Sequence, residues 1–125
     1  MSHSVEAGGQ QPSAAATLFW LLDPAFGYFL WAAHFLIVYI AEAVACVLGL
    51  GRAGGGAHAA LLAALVVVTG AAAAVLVIHA VWRYWQQRNL ADQRFRMSVT
   101  IGNDAIAAMA ILWQLFPIFL TPVCA

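Results

Sequence analysis

Three long apolar stretches constrain this sequence more than any other feature. They run over residues 26–50, 59–84 and 99–123, and each is about 25 residues long, above the roughly 20 that a helix needs to span a bilayer. The short alternating segments typical of an outer-membrane barrel are absent. The pattern therefore predicts an all-α fold: an integral membrane three-helix bundle that forms a single transmembrane domain over residues 14–125.

The charge content excludes several classes of soluble protein. Only 8% of the residues are charged, no lysine is present, and five arginines balance five acids. A water-soluble domain carries about a quarter of its residues as charged ones, so this chain cannot cover itself with a hydrated shell. A soluble enzyme and a nucleic-acid-binding protein with a basic face are excluded, and the lipid bilayer is the expected environment.

The N-terminal region is predicted to have two parts. Residues 1–13 are polar and are expected to form a disordered tail without a secretory signal. Residues 14–22 are apolar but too short to span, which predicts a short N-terminal interfacial helix with Trp20 as an aromatic anchor. Because proline disfavours helix at the preceding residue, we expect Asp23 to cap the first span and Pro24 to open it.

The second connection sets the predicted topology. Residues 83–97 carry four of the five arginines, and positively charged loops stay in the cytoplasm. The N-terminus is therefore expected inside a bacterial inner membrane, and the glycine-rich turn at residues 51–57 and the C-terminus on the periplasmic side. Cys46 and Cys124 both fall towards this oxidising side, and the sequence leaves open whether they form a disulfide.

Polar side chains within the spans fall at two predicted depths. His34 lies about 12 Å into the first span at 1.5 Å of rise per residue, and His79 and Asp104 lie within roughly one helical turn of that depth. We expect these three residues to meet, with Asn103 beside them. Asp104 is also close enough to the inner end to pair with an arginine of the basic connection or to stabilise a helix start.

The second predicted layer lies further from the basic connection. Glu42, Thr69 and Gln114 each fall about 22–24 Å into their spans. Glu42 is the only acid deep in an otherwise apolar stretch, and a hydrogen bond with Gln114 or Thr69 would satisfy it. Acids inside a membrane are also candidates for function, so Glu42 is a candidate proton carrier.

His34 and His79 allow three interpretations. Polar side chains commonly hydrogen-bond neighbouring membrane helices. Imidazole is also an ordinary axial ligand of haem iron, which makes the pair a candidate cofactor-binding site for haem b, although no haem motif surrounds either residue. Contact with a quinone is the third, with Arg83 and Tyr84 nearby. No catalytic residue and no metal site is predicted, because nucleophile–base and zinc spacings are absent.

The third span carries a resemblance to a known group of proteins. The segment from Asp104 to Pro117 (DAIAAMAILWQLFP), closing on Pro122 and Cys124, resembles the C-terminal end of small three-helix membrane proteins encoded beside bacterial haem–copper terminal oxidases. In overall plan the chain is also similar to the small subunit IV of cytochrome bo-type quinol oxidases. The resemblance implies an accessory or assembly subunit of a respiratory complex, without a redox centre of its own.

Three functions follow as hypotheses. The first is a non-catalytic accessory or assembly subunit, not an enzyme, that binds larger integral membrane subunits of a cytochrome oxidase. Its contact residues would be exposed aromatic side chains: Trp20, Phe29, Trp31, Phe35 and Phe119. The second is a haem- or quinone-binding membrane anchor that uses His34 and His79. The third is a small proton-coupled exporter that uses Glu42; such exporters resemble four-helix chains, whereas three spans are predicted here.

Overall fold

The computed structural model describes residues 13–50, 55–120 and Cys124, and within these residues the chain is helical without a strand. The elements are α1 (Ala14–Val47), α2 (Gly56–Gln87), a short 3₁₀ turn (Ala91–Gln93), α3 (Arg94–Trp113) and α4 (Leu115–Leu120). Three segments, α1, α2 and Ala91–Leu120, are long and apolar enough to cross a membrane. The prediction of an all-α architecture with three helical segments long and apolar enough to span a membrane is therefore confirmed.

Two parts of the prediction fall on residues that the structure does not describe. The polar N-terminal tail predicted for residues 1–13 lies outside the described residues except for Ser13. Residues 51–54 of the glycine-rich turn also lie outside them, and α2 begins directly afterwards at Gly56.

The structure corrects the predicted division of the N-terminal region, because α1 is one continuous helix. It begins at Ala14, where the hydroxyl of Ser13 accepts the backbone N–H of Ala16 at 3.2 Å, and it continues through Pro24. Asp23 therefore lies inside the helix and is not its N-cap. No separate interfacial helix is formed by residues 14–22, which are the first turns of α1.

The backbone around Pro24 is supported by α3. Proline has no N–H to offer the carbonyl four residues earlier, which is that of Trp20. The guanidinium of Arg96 donates to this carbonyl instead and lies 3.5 Å from the centre of the Trp20 ring. The side-chain amide of Asn103 donates to the carbonyl of Pro24 at 2.8 Å. Neighbouring helices commonly satisfy backbone groups that a proline frees within a membrane, which explains why α1 does not end here.

Helix α3 is the centre of the packing. It contacts both α1 and α2 along much of their length, whereas α1 and α2 touch each other less. Helices α1 and α3 come close together at Gly27 of α1. A Cβ atom there would lie 2.8 Å from Oδ1 of Asp104 and 3.2 Å from the backbone oxygen of Asn103. A glycine is therefore required for α1 and α3 to come this close, as is common between membrane helices.

Polar and apolar layers alternate along the bundle. Two apolar clusters are buried between the helices: one formed by Leu76, Ala107 and Ile111, the other by Val38, Leu65 and Ile118. In the order of the residues along each helix, the first cluster separates two polar layers, and the second lies between the outer polar layer and the cysteines. The first cluster draws its buried members from α2 and α3, with Phe26 and Leu30 of α1 packed against them, and the second draws one buried side chain from each span.

The third span is interrupted near Pro117. Helix α3 ends at Trp113 and α4 begins two residues later. Pro117 has no N–H for the carbonyl of Trp113, and its ring clashes with a regular helix at that position. The interruption leaves Gln114 at the joint between α3 and α4.

A disulfide between Cys46 and Cys124 closes the end of the molecule opposite the basic connection. The two cysteines are 78 residues apart in sequence, and their Cα atoms are 5.6 Å apart, inside the 4.4–6.8 Å range of ordinary disulfides. The bond ties the C-terminal part of α1 to the end of the chain. It answers the question of pairing that the sequence leaves open.

Candidate functional site

Five charged or titratable side chains meet near the basic connection, and we call them the inner cluster: Asp23, His79, Arg83, Arg96 and Asp104. Nδ1 of His79 donates to Oδ2 of Asp104 at 2.6 Å, since an ionised carboxylate can only accept. Asp23 binds the guanidinium of Arg83. Its carboxylate oxygens also lie 3.7 Å from Nη2 of Arg96 and 3.6 Å from Nε2 of His79.

Helical spacing brings these side chains together. Arg83 follows His79 by four residues on α2, so both lie on the same face of that helix. Asp104 follows Arg96 by eight residues on α3, about two turns further along the same face. Asp23 on α1 completes the cluster, one residue before the proline whose surroundings Arg96 also supports.

The two carboxylates of the inner cluster are buried, and the formal charges of the cluster balance without counting His79. The side chain of Asp104 is 1% exposed and that of Asp23 is 7% exposed, whereas His79, Arg83 and Arg96 are partly exposed. Both guanidinium groups approach Asp23, and His79 binds Asp104. Buried charges are tolerated when they are paired. Oδ1 of Asp104 has no hydrogen-bond partner among the described residues and faces Gly27, so the bond to His79 is the principal one holding this carboxylate.

A second, neutral layer lies further along the bundle, and we call its members the outer triad: His34, Thr69 and Gln114. Nδ1 of His34 is 2.8 Å from the amide oxygen of Gln114, which makes this nitrogen the donor. Nε2 of His34 is 3.0 Å from the hydroxyl of Thr69, which donates to it. His34 is 2% exposed and Thr69 is fully buried. One neutral imidazole on α1 thus forms hydrogen bonds with a side chain of α2 and with a side chain of the third span.

The structure brings together some of the predicted site residues and separates others. His79 and Asp104 are in contact, as expected. His34 is not with them, because it binds the two residues that were expected to satisfy Glu42. The predicted depth of His34 was wrong because it was counted from residue 26 as the start of the first span. Helix α1 begins at Ala14, so His34 lies further from the basic end than was expected.

Glu42 and Asn103 lie outside both polar layers. Glu42 is half-buried and has no hydrogen-bond partner among the described residues. It lines a small cavity of about 140 Å³ together with Tyr39, Gln114 and Pro117. Asn103 supports the carbonyl of Pro24 and does not bind the inner cluster.

Sequence reasoning missed Asp23 as a member of the inner cluster and gave its two arginines other partners. Asp23 was expected to be a helix cap, Arg83 to lie near a bound quinone, and Arg94 or Arg96 to pair with Asp104. Instead, Asp23 is the carboxylate that both Arg83 and Arg96 approach. The signal that could have found Arg83 is its spacing of four residues from His79. No comparable signal identifies Asp23, because Asp-Pro is a common helix start.

The donors present do not fit a haem held between the two histidines. Both ring nitrogens of His34 are engaged, by Thr69 and Gln114, so neither is free to ligate iron. His79 has a separate set of neighbours, Asp104 and Asp23. In the part of the chain that the structure describes, no group of three or more histidine, cysteine or acidic residues could hold a metal ion.

Comparisons with known protein families, with curated proteins and with solved structures gave no match. What the two polar layers can do chemically therefore follows from their own geometry. The outer triad has every imidazole nitrogen occupied and holds three helices together. The inner cluster keeps one ring nitrogen, Nε2 of His79, outside hydrogen-bond distance of its nearest carboxylate.

Proposed function

We propose that this chain is a non-catalytic accessory or assembly subunit of a bacterial respiratory membrane complex, with a haem–copper cytochrome oxidase as its partner. The observation that carries the proposal is the outward face of α3. The segment from Asp104 to Pro117, which bears the resemblance to proteins encoded beside such oxidases, also presents two apolar grooves to the outside of the bundle.

The shape of this face suits another membrane helix. The grooves have volumes of about 700 and 550 Å³, and Ala105 and Met109 line both of them. Trp113 also lines both grooves, and the side chains of Trp113 and Met109 are 73% and 71% exposed. Small residues let helix backbones approach closely, and packing rather than hydrophobic transfer drives association in lipid. An alanine floor between large, flexible side chains therefore favours a partner helix over lipid tails.

The interior supports the same proposal. The outer triad uses the hydrogen-bonding capacity of His34 within the bundle, and most of the inner cluster is paired within itself. These are the contacts expected of side chains that hold three helices in register. The chain would then act through its surface, as an accessory subunit does.

The membrane and the orientation belong to the same proposal. A bacterial inner membrane with the N-terminus in the cytoplasm places the arginines of residues 83–97 inside, in agreement with the positive-inside rule. The disulfide between Cys46 and Cys124 lies at the opposite end of the bundle, and disulfides persist in the periplasm rather than the cytoplasm. Two independent chemical signals thus favour the same orientation.

Glu42 supports a second use of the chain. A half-buried acid in α1 that lacks a hydrogen-bond partner among the described residues suits a proton-coupled exporter, and it equally suits a donor from a partner subunit. The substitution Glu42→Gln separates the two. An exporter loses transport in this variant, whereas an accessory subunit changes only its association with the partner.

The main experiment is co-purification from a bacterium that expresses a haem–copper oxidase. A tagged full-length chain is extracted in mild detergent, and the oxidase subunits that accompany it are quantified by mass spectrometry. Ala105→Leu fills both grooves and is expected to reduce the recovered oxidase at least fivefold. Ala74→Leu, at an exposed alanine of α2 that borders neither groove, is the matched control and should leave recovery unchanged.

Two results would contradict the proposal. One is equal recovery of the oxidase with both variants, or no recovery with the unmodified chain. The other is a reduced haem b absorption band in the isolated protein that disappears in both His34→Ala and His79→Ala, since this would assign the chain a redox centre of its own.

A further inference from the structure

A side cavity adjoins the inner cluster between the first half of α1 and the last turns of α2. It has a volume of about 340 Å³ and is lined by Phe19, Leu22, Asp23, Phe26, His79 and Arg83. Small-molecule sites in proteins commonly occupy roughly 300–1,000 Å³. Phe19 is 74% exposed, so the rim of the cavity reaches the outer surface of the bundle and is entered from the lipid.

The walls and the floor of this cavity differ in chemistry. Three apolar side chains from α1 form the walls, and two of them are phenylalanines. The ring of Phe26 lies 4.5 Å from the imidazole of His79, centre to centre. The polar groups are Asp23, His79 and Arg83, which belong to the inner cluster. A ligand would therefore need a flat apolar ring with hydrogen-bonding atoms at its edge.

The polar groups are held in place before any ligand arrives. Asp104 fixes the imidazole of His79 through Nδ1, which leaves Nε2 as the ring nitrogen that is not hydrogen-bonded: its nearest acidic atom is 3.6 Å away. Asp23 fixes the guanidinium of Arg83. Preorganised groups of this kind lose little freedom when a ligand binds.

The charge of the cluster selects between classes of ligand. Arg83 and Arg96 both approach the carboxylate of Asp23, and Asp104 is bound by His79. The two guanidinium groups and the two carboxylates leave the cluster without a net formal charge, so it has no surplus positive charge for a phosphate. A phospholipid head group would bring its anionic oxygens to the buried carboxylate of Asp23. A neutral ring with carbonyl or hydroxyl oxygens avoids this repulsion.

From these features we propose that the cavity binds the head group of a membrane quinone or quinol. The ring lies between Phe19, Leu22 and Phe26, and its apolar tail leaves through the lipid-facing rim. The guanidinium of Arg83 donates to an oxygen of the ring. A hydroxyl of the quinol donates to Nε2 of His79, which accepts because Nδ1 carries the proton donated to Asp104. The site is distinct from the α3 grooves, and binding does not require the partner complex of the proposed function. No electron transfer is assigned to this chain.

The test uses the purified full-length chain in nanodiscs of uncharged phosphatidylcholine, with decylubiquinone as the probe. Saturable binding is measured by calorimetry against empty nanodiscs of the same composition. Leu22→Trp fills the cavity without removing a polar contact, and it is expected to weaken binding at least tenfold. Leu18→Trp, an exposed position one turn earlier on α1 that does not line the cavity, should change the affinity less than twofold.

A second variant tests the polar contact. His79→Gln keeps a side chain that can bond Asp104 but removes the imidazole. It is expected to weaken binding of the reduced probe, decylubiquinol, at least fivefold, while circular dichroism shows unchanged helix content. Non-saturable partitioning that is identical in the unmodified chain and in Leu22→Trp would overturn the proposal. Displacement of decylubiquinone by cardiolipin at equimolar concentration would also overturn it and assign the cavity to an anionic lipid.

Discussion

The inner cluster and the outer triad both use a histidine to join three helices, yet they do so with different chemistry. His79 belongs to a group of paired charges, two carboxylates and two guanidinium groups. His34 belongs to a neutral group in which an amide oxygen and a hydroxyl occupy its two nitrogens. An unpaired charge is far more costly in hydrocarbon than an unpaired dipole. The position of a histidine along the bundle therefore decides whether its neighbours can be charged.

The strongest way to break this comparison is to remove His79. In His79→Leu the buried carboxylate of Asp104 loses its principal hydrogen-bond partner. A buried charged group that loses its hydrogen-bond partner costs about 3 kcal/mol, so the free energy of unfolding should fall by about that amount. Titration of the protein with sodium dodecyl sulfate, followed by circular dichroism, measures it.

A double variant serves as the control for His79→Leu. Combining it with Asp104→Asn removes the charge that was left unpaired, so at least half of the lost stability should return. If His79→Leu alone proved no less stable than the variant Thr69→Val, the pair of His79 and Asp104 would not stabilise the fold.

An intermediate effect is expected at Gly27, where α1 packs closely against Asp104 of α3. Gly27→Ala places a Cβ atom 2.8 Å from Oδ1 of Asp104 and 3.2 Å from the backbone of α3, so the two helices must separate. Overpacking of this kind costs about 2 kcal/mol. Gly70→Ala, where a Cβ atom would meet nothing within 4 Å, is the matched control. Equal stability of the two variants in the same titration would refute the close contact.

The smallest effect is expected in the outer triad. Thr69→Val keeps the shape of the side chain but removes the hydroxyl that donates to Nε2 of His34. Hydrogen bonds between membrane helices are worth about 0.6 kcal/mol on average, so stability should fall by about that much. In a His34→Leu background the same substitution should change little, and a double-mutant cycle measures the coupling. A coupling energy between Thr69 and His34 above about 2 kcal/mol would contradict the comparison, because the outer triad would then stabilise the fold as much as the inner cluster does.

The parts of the fold that depend on the length of the apolar stretches could be predicted from the sequence. Three stretches of sufficient length predicted three spans, since this follows from local chemistry. The register of the helices was harder. The Asp23–Pro24 pair is an ordinary helix start in isolation, and only the guanidinium of Arg96 and the amide of Asn103, more than 70 residues away in the chain, allow α1 to continue through it.

The candidate site illustrates the same limit. Every polar residue of the outer triad was recognised from the sequence, but its members were divided between two depths because the start of α1 was misplaced by three turns of helix. The pairing of Cys46 with Cys124 likewise depended on a distance, 5.6 Å between Cα atoms, that no spacing in the sequence contains. Residue types were predictable here, whereas their partners were set by packing.

The length of α1 has a consequence for the position of the charges in the bilayer. Its 34 residues rise about 50 Å, some 20 Å more than the roughly 30 Å thickness of a hydrocarbon core. If the excess is shared between the two ends, Asp23, about 14 Å from the start of the helix, lies at the edge of the hydrocarbon, where water and lipid head groups are within reach. His34, about 16 Å further along, lies within the hydrocarbon. The thickness of the membrane thus separates the charged layer from the neutral one.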